Sequence, residues 1–293
     1  MADKQWEGTT YGSSWMHRTL IRILRLCDVR LLYVFSAVFV IPVCLVGRPG
    51  GGIIYRYFRQ RFNYSPLKAA WKSYVNHCQF SEVVIDRFAM YAGKNFDIKV
   101  EGYEHFRKLA ERPEGFVQLS AHVGNYEAAG YNLKAEQKRF NALVFSGEKD
   151  SVMNNRNKMF GNTNIRMIPL RKDMSHLFEI NEALANGETI SIPADRLWGS
   201  SKYIPMAFLG QEAHFPLGPF QIAAMRQVDA LVVNVMKESF MKYRVYITPL
   251  QYDKNAPRKQ QIAELAKGYV DELERILRLY QTQCYNYFDF WAQ

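Results

Sequence analysis

The sequence predicts an α/β fold: a mainly parallel central sheet flanked by helices, with an N-terminal membrane-associated helical segment. Three observations carry this reading. From Asp97 onward, short β-type runs alternate with helical ones, as in a sheet built from strand–helix units. Apolar residues make up 48% of the 293 and charged residues 23%, a balance that excludes a disordered chain and a polytopic membrane protein. The formal charge of +10 is concentrated, because up to Lys72 eleven bases face only Asp3, Glu7 and Asp28, which puts +8 in the first quarter.

That first quarter opens with a basic amphipathic pattern. Arg18, Arg22 and Arg25 fall at helical spacing, with Leu20, Ile21, Ile23, Leu24 and Leu26 available for an apolar face. The longest apolar run follows, Leu31 to Val46, interrupted only by Ser36 and Pro42. Its sixteen residues fall short of the roughly 20 that a spanning helix needs. Some thirty residues precede the run and no A-x-A-like site follows it, so a secretory leader is not expected. Two readings stand side by side: a membrane-surface element, or a pair of core helices with a solvated arginine stripe. Both flanks are basic, so the positive-inside rule favours neither orientation, and a monotopic or re-entrant anchor fits better than a clean span. Gly50-Gly51-Gly52 breaks the pattern, and a long helix is predicted from Pro66 to about Tyr91. The chain is accordingly divided into an anchor, 1–62, and a body, 63–293. An anionic membrane surface is the expected partner; nucleic acid is not, since nothing in nucleic-acid binding requires the apolar run.

In the body, strands are predicted at Ile98–Val100, Phe116–Ala121, Asn141–Phe145, Ile165–Pro169, Thr189–Pro193, Leu231–Val235 and Tyr243–Thr248. Helices are predicted near Asn125–Glu136, Ser151–Phe160, Met174–Asn186, Pro216–Met225 and Gln260–Tyr280. Cys27, Cys44, Cys78 and Cys284 are scattered without C-x-x-C or metal spacing, so free thiols are expected, with no disulfide framework, metal site or cofactor.

Chemistry in such folds gathers where strands end and helices begin. At one junction an apolar strand, Phe116–Ala121, runs into His122, a glycine turn at Gly124, Asn125 as candidate N-cap, and Glu127 in the next helical turn. With His122 in the turn before the helix, Glu127 can fold back to the imidazole, fix its tautomer and leave the other nitrogen as a general base. The alternative is a core histidine hydrogen-bonded to a neighbour. A pair without a Ser or Cys nucleophile needs a hydroxyl supplied by the substrate, which implies direct group transfer. A G-x-S-x-G elbow, which an α/β hydrolase would need, is missing from the sequence.

His122-x4-Glu127 after a hydrophobic strand resembles the H-x4-D/E block of the lysophospholipid acyltransferase superfamily, in the Glu form of the bacterial lipid A biosynthesis late acyltransferases. Pro193-Ala194-Asp195-Arg196 after a strand, Ile204 to Gly210, and Phe215-Pro216-Leu217-Gly218-Pro219-Phe220 are similar to later blocks of that family. The stretch Trp6–Ser13 and the ending Phe288–Trp291 look like a side branch associated with aryl-polyene, flexirubin or amino-acid-lipid synthesis. The resemblance implies an acyltransferase at the cytoplasmic face of a bacterial inner membrane, with acyl carrier protein or acyl-CoA as donor and a lipid hydroxyl as acceptor. It implies His122 as base and Glu127 as its partner. Arg156, with Lys158 as alternative, would contact an acceptor headgroup; Asp195 and Arg196 would support the site; Asn125, Gly210, Pro216 and Gly218 would belong to the substrate cleft. The competing function is a non-catalytic, anionic-lipid-binding protein of the membrane surface.

Overall fold

A computed structural model of the chain describes residues 14–47, 50–128, 138–145, 164–171, 173–197, 202–288 and 290–291. The N-terminal part is helical: α1 (Ser14–Leu26), α2 (Val29–Phe35), a π-helical turn (Ser36–Val40), α3 (Ile41–Gly47), α4 (Gly50–Arg61) and α5 (Pro66–Tyr91). Asp28 caps α2 by accepting the Arg30 N–H at 2.8 Å, and Ser65 with Pro66 opens α5. The π turn has a local cause. Pro42 has no N–H to donate and its ring crowds the carbonyl four residues back, and the wider turn before it relieves both.

The body holds β1 (Asp97–Glu101), α6 (Tyr103–Ala110), β2 (Phe116–Ser120), β3 (Phe140–Phe145), β4 (Ile165–Leu170), α7 (His176–Ala185) and β5 (Thr189–Pro193). Then come a hairpin of β6 (Tyr203–Phe208) and β7 (Gln211–Pro216), α8 (Leu217–Arg226), β8 (Ala230–Ser239), β9 (Lys242–Leu250) and α9 (Arg258–Leu279). The main sheet has seven strands in the order β1-β9-β8-β2-β5-β3-β4, with every pair parallel except β8–β9. The fold is therefore the predicted α/β type, and β2 and β5 are parallel neighbours near its centre.

Alternation along the strands sends side chains to two cores. Val117, Leu119, Ala230 and Val232 face the core shared with α4, α8 and α9, whereas Phe116, Leu231, Val233 and Val235 face the one that holds Phe106 and Met90. From α4, Ile54, Tyr57 and Phe58 enter the first of these cores, and Leu24 and Val29 pack with Phe88 and Ala89 of α5.

Three findings refine the sequence reading. The segment 203–216, read there as motif, is a two-stranded hairpin, and Leu209 and Gly210 form its turn with φ of +50° and +83°. The helix expected at Asn125–Glu136 is described only as a 3-10 turn, Tyr126–Ala128, and the one expected at Ser151–Phe160 lies outside the described residues. The four cysteines are free. Among the described residues, no helix is long and apolar enough to cross a membrane, and no three His, Cys, Asp or Glu side chains cluster as metal ligands would.

Candidate active site

His122 leaves the C-terminal end of β2, and Asp195 lies just beyond the end of β5. Because these strands are parallel neighbours, the two residues arrive together. The Asp195 carboxylate accepts the His122 backbone N–H on Oδ2 and the imidazole Nδ1–H on Oδ1, both at 2.8 Å. An ionised carboxylate only accepts, so the imidazole proton sits on Nδ1 and the Nε2 lone pair is left free. Asp195 is fully buried, while the His122 side chain keeps 21% of its surface accessible.

The opposing electrostatics give each group one protonation state. Burial lowers the His122 pKa from its ordinary 6.5, Asp195 resists that drop, and the nearby Arg196 and Arg87 guanidinium groups add to it. The lowered pKa favours the neutral imidazole. Burial alone would raise the Asp195 pKa, but His122, Arg196 and Asn286 hold the carboxyl well below the usual carboxylate range.

The C-terminal segment braces this pair from behind. Val123 bridges Cys284, the Tyr285 N–H donates to the His122 carbonyl at 3.0 Å, and the Gly124 N–H donates to the Gln283 carbonyl at 3.0 Å. Asn286 Nδ2 donates to Asp195 Oδ2 at 3.0 Å. Arg196, partly buried, donates Nε to Asn286 Oδ1 at 2.9 Å and Nη2 to the Tyr285 carbonyl at 3.2 Å. Gly124 is required by space: its φ is +54°, and a Cβ there would stand 2.1 Å from the Val235 carbonyl oxygen. Cys284 is no nucleophile, since burial pushes its thiol up to about 12.

The remaining expected site residues are distributed as follows. Asn125 is buried, with its N–H on the Val235 carbonyl at 2.7 Å, directly after the His122 turn. Glu127 lies in the 3-10 turn, and Asp195, expected only to support the site, is the carboxylate that meets His122 Nδ1. Gly210 sits in the hairpin turn and Gly218 in the first turn of α8, each with open space where a Cβ would stand, and Pro216 precedes α8 as its N-cap. Arg156 and Lys158 lie outside the described residues, as does the stretch 6–13. Sequence reasoning missed Asn286, Tyr285 and Gln283. The one signal for them was a pair of amide side chains set within an aromatic ending. Beside the site, an apolar crevice runs between α4, α9 and the C-terminal aromatics, lined by Ile54, Tyr57, Val123, Phe208, Leu277 and Trp291 among others.

The chain matches the sequence model of the family described as bacterial lipid A biosynthesis acyltransferase over residues 85–275, which takes in the His122 turn, Asp195 and most of α9. No curated protein sequence matches it. Among solved structures, the 1-acyl-sn-glycerophosphate (LPA) acyltransferase PlsC from Thermotoga maritima is similar at 16% identity and a TM-score of 0.38, over 89% of this chain and 98% of that one. That likeness is too low to carry argument, whereas the family match covers well over half of the chain. The chain thus belongs to the bacterial lipid A biosynthesis acyltransferase family, and its activity is acyl transfer to a lipid acceptor.

Proposed function

We propose that the chain is a membrane-associated O-acyltransferase that moves a fatty acyl group from acyl carrier protein or acyl-CoA to a hydroxyl of a lipid, with His122 as general base. The observation that carries the reading is the buried carboxylate on Nδ1 of a strand-end histidine whose Nε2 lone pair is free. In the first step Nε2 takes the hydroxyl proton as the oxygen attacks the thioester carbonyl carbon. Asp195 stabilises the imidazolium that forms. The tetrahedral intermediate then collapses, the C–S bond breaks, and the thiolate takes the proton back from Nε2, leaving an ester and a free thiol. Glu127, in the 3-10 turn after His122, is the candidate second orienting partner of the imidazole, and Arg156 is the candidate contact for an anionic headgroup.

The base sets a sign for pH dependence. Its pKa is lowered, and the active form is deprotonated. Acyl transfer therefore rises with pH along an acid limb centred below 6.5 and is level by about pH 7.5. A pH–rate profile with its acid limb above pH 7 contradicts the assignment.

The division into an anchor, 1–62, and a body, 63–293, is part of the same reading, with α1–α3 at the lipid surface and α4 tying them to the body. Leu31, Val34, Phe35, Val38, Phe39 and Val43 are each more than half exposed and recur every three or four residues, forming one apolar stripe on the helical stretch 29–47. Arg18, Arg22, Arg25 and Arg30, all exposed, lie just before or at the start of it in the chain, a combination suited to lying in an anionic bilayer surface at the cytoplasmic face of the bacterial inner membrane. Val38→Asp removes one apolar contact and adds a charge at the middle of the stripe. It is expected to weaken binding to vesicles containing phosphatidylglycerol about tenfold or more, measured by co-sedimentation. Unchanged binding would remove the stripe from the interface.

The test of function is lipid analysis by mass spectrometry of cells carrying the wild-type chain or the His122→Ala variant. The expected result is a lipid lacking one acyl chain in the variant, and its identity separates a phosphorylated lipid A precursor from a smaller amphiphile of the side branch. Identical lipid profiles would sink the proposal.

A further inference from the structure

The strap of residues 282–287 touches the catalytic turn with one set of groups and α5 with the set between them. Gln283 and Tyr285 bond the backbone of Gly124 and His122, and Asn286 bonds Asp195. The carbonyls of Thr282 and Cys284, and the hydroxyl of Tyr287, all meet one side chain, Asn76. Asn76 Nδ2 donates to Thr282 O at 2.9 Å and to Cys284 O at 2.8 Å, and its Oδ1 accepts from Tyr287 at 3.0 Å. The side chain is fully buried in mid-helix, where asparagine is a poor helix former and a buried amide needs partners. Among the described residues, its three side-chain hydrogen bonds all go to the strap. Two further clamps hold the same segment: the Gln283 amide pairs reciprocally with the Lys237 backbone at 2.9 and 2.7 Å, and the Thr282 hydroxyl donates to Gln79 at 2.6 Å.

We propose that Asn76 is a positioning residue for acyl transfer, holding the strap in the register that keeps His122 against Asp195. The proposal rests on the reading of His122 as the base. Asn76 touches no reacting atom; it acts through Thr282, Cys284 and Tyr287. Without it the strap loosens, the Asn286 contact to Asp195 lengthens, and the carboxylate no longer fixes the imidazole. Among the described residues, the charged groups acting on His122 are Asp195, Arg196 and Arg87 of α5. Of these only Asp195 raises the imidazole pKa, so a weakened Asp195 contact leaves burial, with the two guanidinium groups, to lower it further.

The test compares purified full-length wild type, Asn76→Ala, Tyr287→Phe and His122→Ala in vesicles of phosphatidylglycerol and phosphatidylethanolamine, using a radiolabelled acyl donor. Asn76→Ala is expected to lower kcat about tenfold, to leave the donor KM within about twofold, and to move the acid limb of the pH–rate profile down by about half a pH unit. Tyr287→Phe keeps the amide and removes one hydroxyl. It is expected to lower kcat about threefold with a limb shift in the same direction, and it carries the test where Asn76→Ala does not fold. An inactive His122→Ala beside folded strap variants with wild-type kcat overturns this proposal alone, as does a reduced kcat with an unmoved acid limb. A fully active His122→Ala overturns the reading of the base itself.

Discussion

Asp195→Asn lowers the turnover of acyl transfer about as far as His122→Ala does, by about 10²–10⁴-fold, the range that a positioned general base contributes. The expected loss comes from the number of acceptors at position 195. The carboxylate takes three donors: the His122 N–H and Asn286 Nδ2 on Oδ2, and the imidazole Nδ1–H on Oδ1. An asparagine there has one acceptor oxygen. Two donors already meet at Oδ2, and Asn286 cannot turn over because its Oδ1 is held by Arg196. The new carbonyl therefore stays on that side, and the new NH₂ faces Nδ1. Nδ1 must then accept, the ring proton moves to Nε2, and the base loses its lone pair. The acid limb of the residual activity moves to lower pH, because the Asp195 anion that raised the imidazole pKa is gone. A folded Asp195→Asn enzyme within tenfold of wild type would show that Asp195 does not set the tautomer. Glu127→Gln, assayed alongside, measures how much of the remaining support the second carboxylate supplies.

How far this pair could be read from the sequence follows from what each contact depends on. His122 was legible because its signal is local: an apolar strand, a turn and a helical turn within about a dozen residues. Asp195 was legible as a motif but not as the Nδ1 partner, since that role requires β2 and β5 to be adjacent, and 73 positions separate the two residues in the chain. The long helix α5 follows from its periodicity and from Ser65-Pro66 at its start, whereas the β6–β7 hairpin was hidden. Ile204, Met206 and Phe208 do alternate, but Pro205 and Pro216 weaken the strand pattern, and the turn is Leu209-Gly210 rather than a typical Asn-Gly. The strap was least legible. Its function comes from backbone groups of residues 282–285, and a sequence does not say where a backbone carbonyl will point.

The same dependence on tertiary assembly governs the largest expected effect on stability. Lys237, at the β-bulge of β8, is 4% exposed in its side chain and places Nζ 2.6 Å from Oδ2 of Asp86, which is fully buried. Tyr33 of α2 and Tyr243 of β9 donate their hydroxyls to the same carboxylate, and Nζ also donates to the Tyr33 oxygen at 3.0 Å. Helix α2, helix α5 and the sheet thus meet on the ammonium of Lys237, with the partly exposed Glu82 carboxylate 3.6 Å from Nζ as its second, weaker partner. Lys237→Met keeps the length of the side chain and leaves the Gln283 clamp on the backbone untouched, yet it strands a carboxylate with two phenols and no cation other than solvent can supply. The expected cost is about 3–5 kcal/mol, the penalty of an uncompensated buried charge, read as a fall in the urea midpoint at constant slope. Most of that cost belongs to the orphaned charge and not to the lost attraction, so adding Asp86→Asn to Lys237→Met recovers more than half of it, the amide oxygen accepting from one phenol and the NH₂ donating to the oxygen of the other. A double variant no more stable than the single one would mean that packing of the lysine stem, and not the charge on Asp86, holds this junction together.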